Sequence, residues 1–108
     1  MEDNEIRRQI FQDISDERLE QDAVYGEVNK TIKFLPEDMS LFIIKAKLKL
    51  LRLREQRLGR QSLFDVAMEE LLEAFGEEVP ENRRYEFVQL GAVVVQILEK
   101  IDKGEIKE

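Results

Sequence analysis

The chain has 108 residues, enough for one domain with a modest core, and is expected to form a single helical domain over residues 1–108. Hydrophobic residues make up 43 % and charged residues 38 %, with five Gly and two Pro, the profile of a helical globular protein and not of a disordered one. A net charge of −7 argues against a nucleic-acid polymer as partner, and the absence of Cys and His excludes disulfides, thiolate nucleophiles, Ser-His triads, His-ligated zinc and the Glu-x-x-His di-iron pattern.

In chain order, the first predicted helix covers about Asn4 to Tyr25, where Ile6, Ile10, Ile14 and Val24 share one stripe. Gly26 is expected to end it, and Glu27 to Phe34 reads as a loop. The second helix is placed from Pro36, whose fixed φ suits a first turn, with Glu37 and Asp38 at the positive end of the dipole. Its body, Ile44 to Leu50, alternates like a half-buried strand, but Leu, Lys, Ala and Arg are strong helix formers. It therefore reads as helix to Leu58, closed by Gly59. Lys45, Lys49 and Arg52 share one face, which suits contact with phosphate oxygens; Lys47, Arg54, Arg57 and Arg60 complete a basic run whose stems otherwise cover apolar surface.

Ser62 reads as the N-cap of a third helix running to Phe75, with Asp65 completing a shortened capping box. Gly76 is expected at a left-handed C′ position, and Pro80 marks the turn. A fourth helix runs from about Glu81 to Lys103, with Gly104 as C′. Its middle, Leu90 to Leu98, is apolar over more than half its circumference, which predicts burial on more than one side and a partner subunit. The apolar run Leu90 to Val95 is too short to cross a bilayer, and the acidic start Glu2-Asp3-Asn4-Glu5 is unlike a signal peptide, so a cytoplasmic protein without membrane association is expected.

The third and fourth helices carry the chemistry. If they form an antiparallel hairpin turning near Val79-Pro80, facing positions have numbers with a constant sum. Glu73 then faces Glu86, and Glu70 faces Gln89. Four oxygen-bearing side chains converge, a ligand set suited to a hard cation such as Mg²⁺. Glu86 lies on the apolar stripe of Leu90, Val93 and Ile97, where a carboxylate is costly without a cation or an arginine beside it. Glu69 points roughly 100° away from Glu70, toward the polar face, and is expected to meet water.

The run Glu69-Glu70-x-x-Glu73, twelve residues, then Glu86-x-x-Gln89 resembles the EExxE…ExxD signature of the MazG-like all-α nucleoside triphosphate pyrophosphohydrolases. The likeness extends across Ser62 to Ala74 and Glu86 to Val95 to a compact phage-type subgroup, whose N-terminal ERxxQDxxWG-like motif is matched by Glu17-Arg18-Leu19-Glu20-Gln21-Asp22-Ala23-Val24-Tyr25-Gly26. Together these segments account for most of the chain.

The resemblance implies an all-α, four-helix bundle-like fold of the all-α NTP pyrophosphatase type, working as a homodimer or dimer of dimers. It implies cleavage of a nucleoside triphosphate to monophosphate and pyrophosphate with Mg²⁺, or Mn²⁺ in its place. The metal ligands would be Glu70, Glu73, Glu86 and Gln89, with Glu70 or Glu73 as the catalytic base for water. Gln21 and Tyr25, in the N-terminal motif, would contact base or ribose. Two positions depart from the pattern: Gln89 stands where the family has Asp, and Tyr25 where it has Trp. A neutral Gln89 weakens the ligand set, so the alternative is a catalytically weak or inactive interaction protein on the same scaffold.

Overall fold

Ser40 and Ser62 mark two helix starts with the same device. In the computed structural model, which describes residues 2–59 and 62–107, each hydroxyl accepts a backbone hydrogen bond three residues on, from Ile43 at 3.3 Å and from Asp65 at 3.2 Å. Arg60 of the basic run lies outside the described residues. The described residues form four helices and no strand: α1 (Asp3–Asn29), α2 (Leu41–Leu58), α3 (Leu63–Gly76) and α4 (Pro80–Asp102). The fold class is all-α, as expected. No helix among the described residues is long and apolar enough to cross a membrane.

Boundaries differ where a local rule competes with another. α1 continues through Gly26 to Asn29, because one helical glycine costs only about 1 kcal/mol relative to alanine and the flanking residues tolerate helix. α2 begins five residues later than Pro36 suggests. There, Met39 N–H donates to the Pro36 carbonyl at 3.1 Å in a separate turn, and Ser40 caps the helix proper. Its end agrees with expectation: Gly59 has φ 79° and closes onto the Glu55 carbonyl at 2.7 Å. Gly104, at φ 70°, closes α4 by a Schellman arrangement, with Glu105 N–H on the Lys100 carbonyl and Gly104 N–H on that of Ile101.

Gly76 departs from its predicted left-handed role. It is the last residue of α3, and a Cβ there would sit 3.2 Å from Ile44 Cγ2. Its smallness serves the close approach of α2 and α3. Pro80 opens α4 at the first helical position, where its missing N–H costs nothing.

The chain divides into two compact units, Met1–Phe34 with Val95–Glu108, and Leu35–Val94. In the first, Ile6 and Ile10 are buried, Arg7 grips Glu99 by a fork (Nε 3.0 Å, Nη2 3.3 Å), and Lys103 pairs with Asp3 at 3.0 Å. The predicted stripe is buried only at this end; Ile14 and Val24 are exposed. The stretch of α4 in this unit, from Val95 to Asp102, is about 12 Å long, against about 40 Å for α1.

In the second unit α2 packs on α3 around Ile44 and Ala74, both buried. Phe75 of α3 meets Phe87 of α4 edge-to-face with ring centroids 5.1 Å apart. The cap of α3 is tied down further: Asp65 is 2 % exposed, accepts from the Ser62 hydroxyl at 3.1 Å and pairs with Arg54 at 3.2 Å. No residue of α4 is fully buried, so the expected two-sided burial of its apolar middle is not met within the chain.

Candidate metal centre

Two helices of the second unit supply the acidic groups. Residues three apart on a helix share a face, so α3 offers Glu70 and Glu73 together, and α4 offers Glu86 across the Val79-Pro80 turn. One carboxylate oxygen from each of Glu70, Glu73 and Glu86 lies within 4.8 Å of the others. Glu70, Glu73 and Glu86 are the residues that would hold a divalent cation there. All three residues are half-buried.

Glu86 bears the electrostatic cost of this arrangement. Burial first, then the charges of Glu73 and Glu77 and a hydrogen bond with Glu73, raise its carboxyl above the ordinary value. Its Oε2 is buried and takes no hydrogen bond. A buried anionic oxygen among like charges is what a dication would relieve, so the donor set fits a hard cation. Gln89, the fourth expected ligand, is half-buried, and its amide nitrogen donates to the Tyr85 hydroxyl at 3.3 Å. That leaves its carbonyl oxygen as the acceptor atom.

α2 brings a cation to the cluster. Arg52 Nη2 is 2.9 Å from Glu73 Oε1, and its Nε is 3.6 Å from Glu69 Oε1. Glu69 is therefore not at the water-facing position expected of it: only 9 % of it is exposed, because α2 covers that side of α3 and brings a guanidinium with it. On α4, Arg83 donates to the Glu77 carbonyl at 3.1 Å.

An open cleft of about 770 Å³ lies beside the cluster, lined by Lys45, Lys49 and Arg52 on one side and by Glu73, Glu77 and Glu86 on the other. The three basic residues singled out from their shared face thus meet in one cavity with two of the acidic ones. Lys45 also pairs with Glu78 at 2.8 Å, which holds the Glu78 carboxyl below its ordinary value. Gln21 and Tyr25 are carried by α1 in the other unit, while the cleft is built wholly from the second. Tyr25 is exposed, and Gln21 accepts from Arg18 at 2.9 Å.

Glu77 was not singled out from the sequence. It caps α3 four residues after Glu73, a spacing that continues the acidic face one turn further and was there to be read. No known family, curated protein or solved structure matches the chain.

Proposed function

We propose that the chain is a Mg²⁺-dependent nucleoside triphosphate pyrophosphohydrolase of the MazG-like type, a cytoplasmic homodimer or dimer of dimers. The observation that carries this reading is the meeting of Glu70, Glu73 and Glu86 at the edge of a cleft whose other wall bears Lys45, Lys49 and Arg52. Carboxylates that hold a dication and cations that hold a polyphosphate are the two halves of such a site.

Glu70, Glu73 and Glu86 would hold the ion, with the Gln89 carbonyl oxygen as a neutral fourth donor. Bound Mg²⁺ supplies neutralisation of phosphate charge and acidification of the attacking water. Lys45 and Lys49 offer compact positive charges to the phosphate chain, and Arg52 offers a planar fork that matches two oxygens at once. Glu70 or Glu73 takes the proton from water as it attacks phosphorus, and pyrophosphate leaves. No protein nucleophile is needed, which suits a chain without Cys or His.

A second reading is favoured by two contacts. The Gln89 amide is engaged by Tyr85, and Glu73 is engaged by Arg52. On that reading the scaffold is a helical interaction protein whose acidic cluster is neutralised internally. Pyrophosphate release across a panel of canonical and damaged triphosphates separates the two. The enzyme reading expects turnover of at least one nucleotide and a loss of about 10²-fold or more in Glu70→Gln. Melting with Mg²⁺ adds a second readout, since a ligand at 100 times its Kd contributes about 2.7 kcal/mol to the folded state. Inert nucleotides together with identical melting with and without metal would favour the interaction protein.

A further inference from the structure

Arg52 stands between the two halves of the centre. Its guanidinium reaches from α2 to Glu73 at 2.9 Å and to Glu69 at 3.6 Å, two acids one turn apart on α3. Its side chain is 52 % exposed, against 24 % for Glu73 and 12 % for Glu69. The arginine is thus the most exposed of the three side chains. The same side chain lines the cleft with Lys45 and Lys49.

A guanidinium keeps its charge at any physiological pH. Positive charge 2.9 Å from a Glu73 oxygen opposes the approach of a dication to that carboxylate. We propose that Arg52 is a tethered counter-ion for Glu73 which a divalent cation must displace, so that loading of the acidic centre and release of Arg52 into the cleft are one event. This rests on the metal-centre reading above and adds a regulation to it. A polyphosphate in the cleft offers the guanidinium a bidentate alternative to Glu73. Anything that draws Arg52 away from Glu73 therefore tightens metal binding, and by linkage metal tightens whatever holds Arg52 in the cleft by the same factor.

The test is Mn²⁺ alone, titrated into the full chain without nucleotide and followed by electron paramagnetic resonance of the free ion. Wild type, Arg52→Gln, Arg52→Lys and Lys49→Gln are compared, with far-UV circular dichroism on each. Lys49→Gln removes the same charge from the same cleft without uncovering Glu73. Arg52→Gln is expected to bind Mn²⁺ at least about fivefold more tightly than Lys49→Gln, the low end of ordinary coupling between sites. Arg52→Lys should fall between wild type and Arg52→Gln, because an ammonium lacks the two-pronged grip. Should Arg52→Gln lose helicity, the excess of Arg52→Lys over wild type decides. If wild type binds Mn²⁺ and the Arg52 variants gain no more than Lys49→Gln, the displacement idea is overturned and the metal centre stands. If none of the four proteins binds Mn²⁺, the metal centre falls and the displacement idea falls with it.

Discussion

Glu86 and Gln89 sit one turn apart on α4, yet their surroundings treat them differently. Glu86 keeps a buried oxygen without a hydrogen bond and lies within reach of two other carboxylates. Gln89 has its amide on a tyrosine hydroxyl. Replacing that amide by a carboxylate removes the Tyr85 contact and adds an anionic oxygen to the ligand set. Gln89→Asp should therefore tighten Mg²⁺ or Mn²⁺ binding, read as a larger metal-induced rise in melting temperature. Unchanged or weaker binding would show that position 89 does not face the ion. The i, i+3 spacing of Glu70/Glu73 was legible in the sequence, and so was the register that brings Glu86 to them. The fate of Glu69 was not. A helical wheel places it on the polar side of α3, but it cannot say that another helix, carrying Arg52, lies over that side.

Caps decide where these helices begin and end, and most of them are readable. The Ser62 hydroxyl accepts from Asp65 N–H and donates to the Asp65 carboxylate, so Ser62→Ala removes both bonds next to a carboxylate that is 2 % exposed. A lost cap alone costs about 1 kcal/mol, and the variant should lose at least that much in urea unfolding. A cost near zero would mean that Arg54 alone satisfies Asp65. At the α1–α4 contact of the first unit, Arg7 hydrogen bonds hold the Glu99 carboxyl below its ordinary value, against the opposing effect of its burial. A carboxyl whose folded pKa is depressed binds fewer protons folded than unfolded. Its stabilisation is present above the ordinary carboxylate range and is lost as pH falls through the depressed value. Arg7→Gln should thus lower the melting temperature at pH 7, and the difference from wild type should shrink on acidification. An equal difference at both pH values would rule out the ion pair as its cause. The starts missed by sequence reasoning, such as that of α2, are those where two valid signals compete. Pro36 suits a first helical turn, but Ser40 offers the hydroxyl that the first free N–H groups require.

Across the whole molecule, Ile6, Ile10, Ile44 and Ala74 are the buried apolar residues among those described, while Phe11, Phe42, Phe64 and Tyr85 stay exposed. Aromatic side chains dominate the energetics of cores and interfaces, so a chain that leaves them in water is short of stabilisation alone. A homo-oligomer is the expected remedy. The melting temperature should then rise with protein concentration, and light scattering should report a multiple of 12.8 kDa. A concentration-independent transition at the monomer mass would remove oligomerisation from the proposal.

By itself the sequence determined the helical class, the stop at Gly59, the caps at Ser62 and Gly104, and the face on which Glu70 and Glu73 meet. Each of these depends on groups within about one turn of one another, where backbone geometry leaves little choice. Only the tertiary structure decided that Gly76 serves close packing against Ile44, that Glu69 is covered, and that Arg52 reaches the acidic cluster. Those pairings join residues far apart in the chain, and their partners are chosen by which helix faces pack together.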